Sequence, residues 1–151
     1  MTTASTLTPG HTGLNVSNLD RSVRFYQAAL GVDVLRRSES ADRLFAFLGA
    51  HGSLLLTLWQ QSDGAFAADR LGLHHLAFRV DSAAEVAAAE TRLRELGATI
   101  HHGGRVRHAE GASSGGVFFE DPDGIRLEIF TGSGMDDVSA PYGSAPTCGF
   151  F

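Results

Sequence analysis

The sequence predicts an α+β fold: two tandem βαβββ modules whose strands form a strongly curved mixed sheet of half-barrels, with the helices outside. Three observations predict it. First, the chain repeats its order of elements: His11 is followed five residues on by Val16, His75 five residues on by Val80, and each of these strands leads into a capped helix, at an offset of 64 residues. Second, strand-like runs follow each helix, separated by polar or Gly-containing turns. Third, residues 116–131 (GVFFEDPDGIRLEIFT) read as two strands around an Asp-Pro-Asp-Gly turn, which closes the second module as a hairpin.

Residues 10–16 alternate loosely and form the opening strand. Asn18 then stands as an N-cap for a helix running to about Leu30, where Leu19, Val23, Tyr26 and Leu30 fall on one face and Gly31 supplies a left-handed stop. Runs at 32–36, 44–48 and 53–59 complete module one, residues 10–60. Residues 60–73 are a polar, small-residue bridge. Module two, residues 73–131, opens with LHHLAFRV and continues with a helix started by Ser82 and Glu85, a capping-box spacing. That helix carries Val86, Ala89, Leu93 and Leu96 on one face and stops at Gly97. Residues 99–102 are expected as the next strand and 105–108 as strand-like, inside a Gly-rich connection that reaches the closing hairpin. Residues 1–9 are expected to be a flexible N-terminus. The segment 132–151 is rich in Gly, Ser, Ala and Pro yet ends in Cys148-Gly149-Phe150-Phe151, so it is expected to dock on the folded body.

Composition narrows the partners. The chain has 151 residues, 43% of them hydrophobic, and no run long enough to cross a membrane. Net charge is −5, and the twelve basic residues, all Arg, are scattered, which argues against nucleic acid or an anionic membrane surface. A small molecule is the expected partner. The single Cys148 cannot form an internal disulfide and residues 1–10 lack an apolar core, so a cytoplasmic location is expected.

Chemistry enters at Glu128. By strand parity it points with Arg126 and Phe130, away from Leu127 and Ile129, into either solvent or the polar interior of a curved sheet. Laying one module on the other puts Thr57 where Glu128 stands, and brings His11, His75, Thr57 and Glu128 to equivalent inward positions around one cleft. Trp59, Phe118 and Phe130 are candidate substrate-lining side chains, although aromatic residues on strands are commonly core. The five remaining histidines read as packed or surface residues, and His51, His74 and His108 have no support from the repeat.

Across roughly residues 10–131 the chain resembles the vicinal oxygen chelate superfamily, the glyoxalase, bleomycin-resistance and extradiol-dioxygenase group. HTGLNVSNLDRSVRFYQAALG is similar to that family's first strand and helix, GLHHLAFRVDS to the opening of its second module, and FFEDPDGIRLEIF to its closing hairpin. The resemblance implies a single domain over 10–131 holding one divalent metal ion, Fe(II), Mn(II) or Zn(II), on His11, His75 and Glu128. The ligand that glyoxalases and epimerases place on their fourth strand falls on Thr57. Two histidines and one carboxylate leave open positions on such an ion.

The same resemblance implies an enzyme acting on a small molecule with vicinal oxygens, dioxygenase-like or lyase/isomerase-like, with His108 as a candidate acid–base catalyst. Extradiol enzymes and fosfomycin-type thiol transferases both carry a Tyr where this chain has Phe118, and the latter a Thr where it has Gly13. A metal-free drug-binding protein of the bleomycin-resistance type is the alternative from another class, and a fosfomycin-type thiol transferase is the further alternative. A homodimer is expected from the resemblance and from the sheet edges that two half-barrels leave open. Whether the modules pair within one chain or exchange between two is open at this stage.

Overall fold

The computed structural model describes residues 5–151, so the expected flexible start at 1–9 lies partly outside the described residues. Two four-stranded sheets of the same design follow one another. In the first, β1 (Thr12–Asn15), β2 (Asp33–Arg37), β3 (Phe45–Ala50) and β4 (Ser53–Trp59) lie in the order β1-β4-β3-β2. In the second, β5 (Leu76–Arg79), β6 (Val106–Arg107), β7 (Gly115–Glu120) and β8 (Arg126–Thr131) lie in the order β5-β8-β7-β6. Each sheet pairs its first and last strands in parallel and the rest antiparallel. The repeat is thus physical as well as sequential.

Both helices form where their caps and stripes predict. In α1 (Leu19–Leu30) the Asn18 side chain accepts from Arg21 N–H at 3.0 Å, and Gly31 stops the helix at φ 67°. In α2 (Ala83–Glu95) the Ser82 hydroxyl accepts from Glu85 N–H, while the Glu85 carboxylate accepts from Ser82 Oγ and from Asp81 N–H. Val86, Ala89 and Leu93 are buried, but Leu96 is 41% exposed because the helix ends one residue before it and turns away at Gly97. One apolar core runs through both modules, from Val16, Tyr26 and Leu58 to Leu93, Phe119 and Leu127.

Residues 99–102 differ from the expected strand. Only Ile100 bridges to Phe119, and His101–Gly103 form a single 3₁₀ turn in which His102 takes φ 58°. Thr99 and Ile100 carry β-favouring side chains, yet the Gly103-Gly104 pair lets the chain turn before a ladder forms. The second module's second strand is the two-residue β6 instead.

The Asp-Pro-Asp-Gly turn between β7 and β8 does more than reverse the chain. Asp121, 5% exposed, accepts from Asp123 N–H (2.8 Å) and Ile125 N–H (2.9 Å) with one oxygen and from the Tyr26 hydroxyl of α1 (2.8 Å) with the other. Asp123 accepts from Ser17 N–H and from Arg21 (2.8 Å), and also pairs with the Ser17 hydroxyl. Two carboxylates of module two therefore grip the start and the middle of the helix of module one. Among the described residues no helix is long and apolar enough to cross a membrane.

Candidate active site

Strand register sets the site. Leu127 of β8 pairs with Leu76 of β5, and Leu56 of β4 with Thr12 of β1, so Leu127 is the counterpart of Leu56 and Glu128 that of Thr57. Glu128 lies between Ala77 on β5 and Phe118 on β7, and its carboxylate is only 2% exposed. A carboxylate that deep is costly unless its oxygens are satisfied.

Imidazoles meet both oxygens. His108 Nε2 is in short contact with Glu128 Oε1, and His75 Nε2 stands 3.6 Å from Glu128 Oε2. A carboxylate can only accept, so a neutral His108 ring presents its Nε2–H to Glu128 and takes a hydrogen bond on Nδ1 from the Ser114 hydroxyl, 2.9 Å away. Ser114, His108 and Glu128 then form a directed relay. His75 differs: its Nδ1 lies 2.8 Å from His74 Nδ1, one nitrogen donating and the other accepting. Burial holds His75 below the ordinary imidazole value, and the Glu128 charge does not reverse that.

Rings complete the face. Phe118 is fully buried beneath His102, His108 and Phe151, and Phe130 lies against His108 at 5.5 Å. Gly116 opposes Phe130 across the hairpin; a Cβ there would stand 2.4 Å from Ile129 O and 2.9 Å from Phe130 Cβ, so only glycine admits this approach. Burial raises the Cys148 thiol pKa, and the nearby Glu128 carboxylate adds to the shift.

The sequence-derived candidates divide between the two sheets. His75, His108, Phe118, Phe130 and Glu128 come together on the second. Thr57 and Trp59 belong to the first, where the indole N–H donates to Thr57 Oγ1 at 3.0 Å and the ring packs against Phe45 and Phe47, with the Arg36 guanidinium over both phenylalanines. His11 precedes β1 and is exposed. Among the described residues no three His, Cys, Asp or Glu side chains stand as a ready metal site. His74, His101 and His102, read from the sequence as bystanders, also gather near Phe118 and Phe151. No sequence periodicity marks His101 and His102, whereas the pair His74-His75 was visible as adjacent rings.

A model of the Glyoxalase/Bleomycin resistance protein/Dioxygenase superfamily matches residues 8–129. The chain belongs to this superfamily. Within the superfamily it is 34% identical over 135 residues to a lactoylglutathione lyase of Neisseria meningitidis, covering 86% of this chain and 94% of that protein. It is 28% identical over 124 residues to a catechol-2,3-dioxygenase of Bacillus subtilis, covering 80% of this chain and 40% of that protein. A superfamily domain from Frankia sp. EAN1pec superposes with a TM-score of 0.70 at 28% identity, over 85% of this chain and 93% of the other.

Proposed function

We propose that the chain is a metal-dependent enzyme of this superfamily that moves a proton on a small molecule with vicinal oxygens, in a lyase- or isomerase-like reaction. The observation that supports it is the carboxylate of Glu128, 2% exposed, with an imidazole at each oxygen. The 3.6 Å between His75 Nε2 and Glu128 Oε2 is too long for a hydrogen bond. It is close to the spacing of about 3.4 Å expected for two ligands on one tetrahedral ion with bonds near 2.1 Å. The donor set therefore fits a divalent ion, Fe(II), Mn(II) or Zn(II), on His75 and Glu128.

His11 is the third ligand in this reading, and the first module of a second copy supplies it, so the working unit is a homodimer. When bound, the ion supplies charge stabilisation for an oxyanion on the chelated substrate, a contribution of several kcal/mol. The chain's own residues do the rest. His75, kept neutral by burial, offers a lone pair, and the relay from Ser114 through His108 Nε2–H gives or takes the proton beside Glu128. The similarity to lactoylglutathione lyases favours this reading. Dioxygenase chemistry is the second reading, favoured by the ring-rich face around Phe118 and by the similarity to a catechol dioxygenase.

Metal content of protein purified without chelator or added metal tests the proposal. The expected result is near-equimolar metal in the parent and severe loss in His11→Ala, His75→Ala and Glu128→Ala, since a three-donor chelate does not survive as two. Near-equimolar metal in the folded variants would overturn it.

A further inference from the structure

The Glu128 face is already filled, and by the protein itself. The ring of Phe151 sits 5.0 Å from Phe118, 5.3 Å from His101, 5.5 Å from His75 and 6.2 Å from His74, all edge-to-face, with the Arg126 guanidinium 5.4 Å from its centroid. Edge-to-face rings pair the electron-poor rim of one with the rich face of another, and a guanidinium over a face uses the same charge distribution. Such a box discriminates an aromatic ring from an aliphatic group of equal size. Arg126 has no acidic side chain within salt-bridge distance among the described residues, so its guanidinium is available to the ring.

The segment that delivers Phe151 is anchored at Thr147 and held up to Phe150. Arg107 N–H donates to Ser139 O, Glu110 N–H to Gly143 O, and Thr147 N–H to His108 O, while the Thr147 hydroxyl donates to Arg107 O. Beyond this anchor comes Gly149, around whose Cβ position nothing lies within 4 Å, and Phe150, 51% exposed and resting on Tyr142. The Tyr142 hydroxyl donates to Phe150 O at 3.0 Å, while Phe150 N–H donates to Thr147 O. Phe151 can leave by rotation about its own backbone and side-chain bonds without undoing the anchor or the bonds of Phe150.

We infer that Phe118, His75, His101 and Arg126 form a binding subsite for a monocyclic aromatic ring, and that Phe151 occupies it as a built-in competitor that an aromatic ligand displaces. The inference rests on the proposed function only for the identity of this face as the active site; the subsite itself is defined by ring contacts. It places the ring of the ligand beside His75 and Glu128, so the proposed small molecule is an aryl compound whose oxygens sit next to its ring. A competitor tethered in place lowers apparent affinity by the fraction of molecules in which the subsite is free.

Benzyl alcohol tests this, with cyclohexylmethanol as the non-aromatic control of similar size; neither chelates nor ionises, so the outcome is independent of metal content and turnover. Binding is followed from the imidazole C–H resonances of His75 and His101 in the full-length protein. Phe151→Ala is expected to bind benzyl alcohol roughly tenfold more tightly than the parent. Phe150→Ala should leave the parent affinity unchanged, and Phe151→Ala should favour benzyl alcohol over cyclohexylmethanol several-fold. In the Phe151→Ala background, Arg126→Met should weaken benzyl alcohol by about threefold. Equal benzyl alcohol affinity in the parent and Phe151→Ala would overturn the competitor, and equal affinity for the two alcohols would overturn the ring subsite.

Discussion

Replacing Asp121 by Ala should lower the stability of both modules together, although Asp121 belongs to only one of them. The substitution orphans three buried donors: Asp123 N–H, Ile125 N–H and the Tyr26 hydroxyl. At roughly 1 kcal/mol for each bond, the loss is about 3 kcal/mol, a large effect for one side chain. Tyr26→Phe removes one of the three and should cost about 1–3 kcal/mol, because it leaves a buried carboxylate oxygen unpaired. The double variant should then show a coupling of about 1 kcal/mol, the share carried by the Tyr26–Asp121 contact itself. Urea unfolding measures all of these, provided the slope is unchanged. Two probes make the test stringent. Trp59 is the only tryptophan and lies in module one, so its fluorescence reports that module, while far-ultraviolet ellipticity reports the whole chain. In Asp121→Ala both midpoints should fall together. If the Trp59 transition stays at the parent midpoint while ellipticity moves, or if the loss is under 1 kcal/mol, the turn does not join the modules as described.

Other outcomes follow from the same geometry. Burial raises the Asp121 pKa above its ordinary value despite its hydrogen bonds, so its contribution is greatest below the unfolded carboxylate range and is lost as pH rises through the folded value; the stability gap between the parent and Asp121→Asn should therefore shift against the parent from acid to neutral pH, as urea titrations at several pH values would show. His108→Gln should keep its metal yet lower turnover by about 100-fold or more, with Ser114→Ala showing a smaller loss, so metal assay and kinetics together separate relay from ligand. Gly116→Ala forces a methyl group against Ile129 O and Phe130 and should cost about 1–3 kcal/mol, visible as a lower thermal midpoint.

Much of the fold was legible because local chemistry and long-range packing agree. Asn18, Gly31, Ser82 and Glu85 announce helix ends that the structure keeps, and β4 spans the residues read from sequence as strand. Where they disagree, sequence fails: Thr99 and Ile100 favour a strand, but the turn at His101–Gly103 wins. Parity alone placed Glu128, Arg126 and Phe130 on one face. What parity could not give is which rings meet across non-adjacent elements, so the contacts of His101 and His102 with Phe118, Phe151 and Tyr142 were invisible, as was the bond from Tyr26 to Asp121. Equivalence of His11 with His75 in sequence likewise says nothing about which surfaces of the two sheets confront each other.

The grip of Asp121 and Asp123 on α1 also makes the peptide bridge between the modules dispensable as a fastener. Side chains join the halves through Tyr26, Ser17 and Arg21, through the contact of Phe25 with Phe119, and through the Arg92 bond to Ala29 O. Phe66 stays with the second half, its N–H bonded to Asp123 O, and residues 61–65 are exposed. Opened within 61–65, the two fragments should reassemble on mixing into a complementing pair. A first half transplanted from a relative should then dock only where that relative keeps a hydroxyl at Tyr26, a cation at Arg21 and the apolar side chains of the shared core.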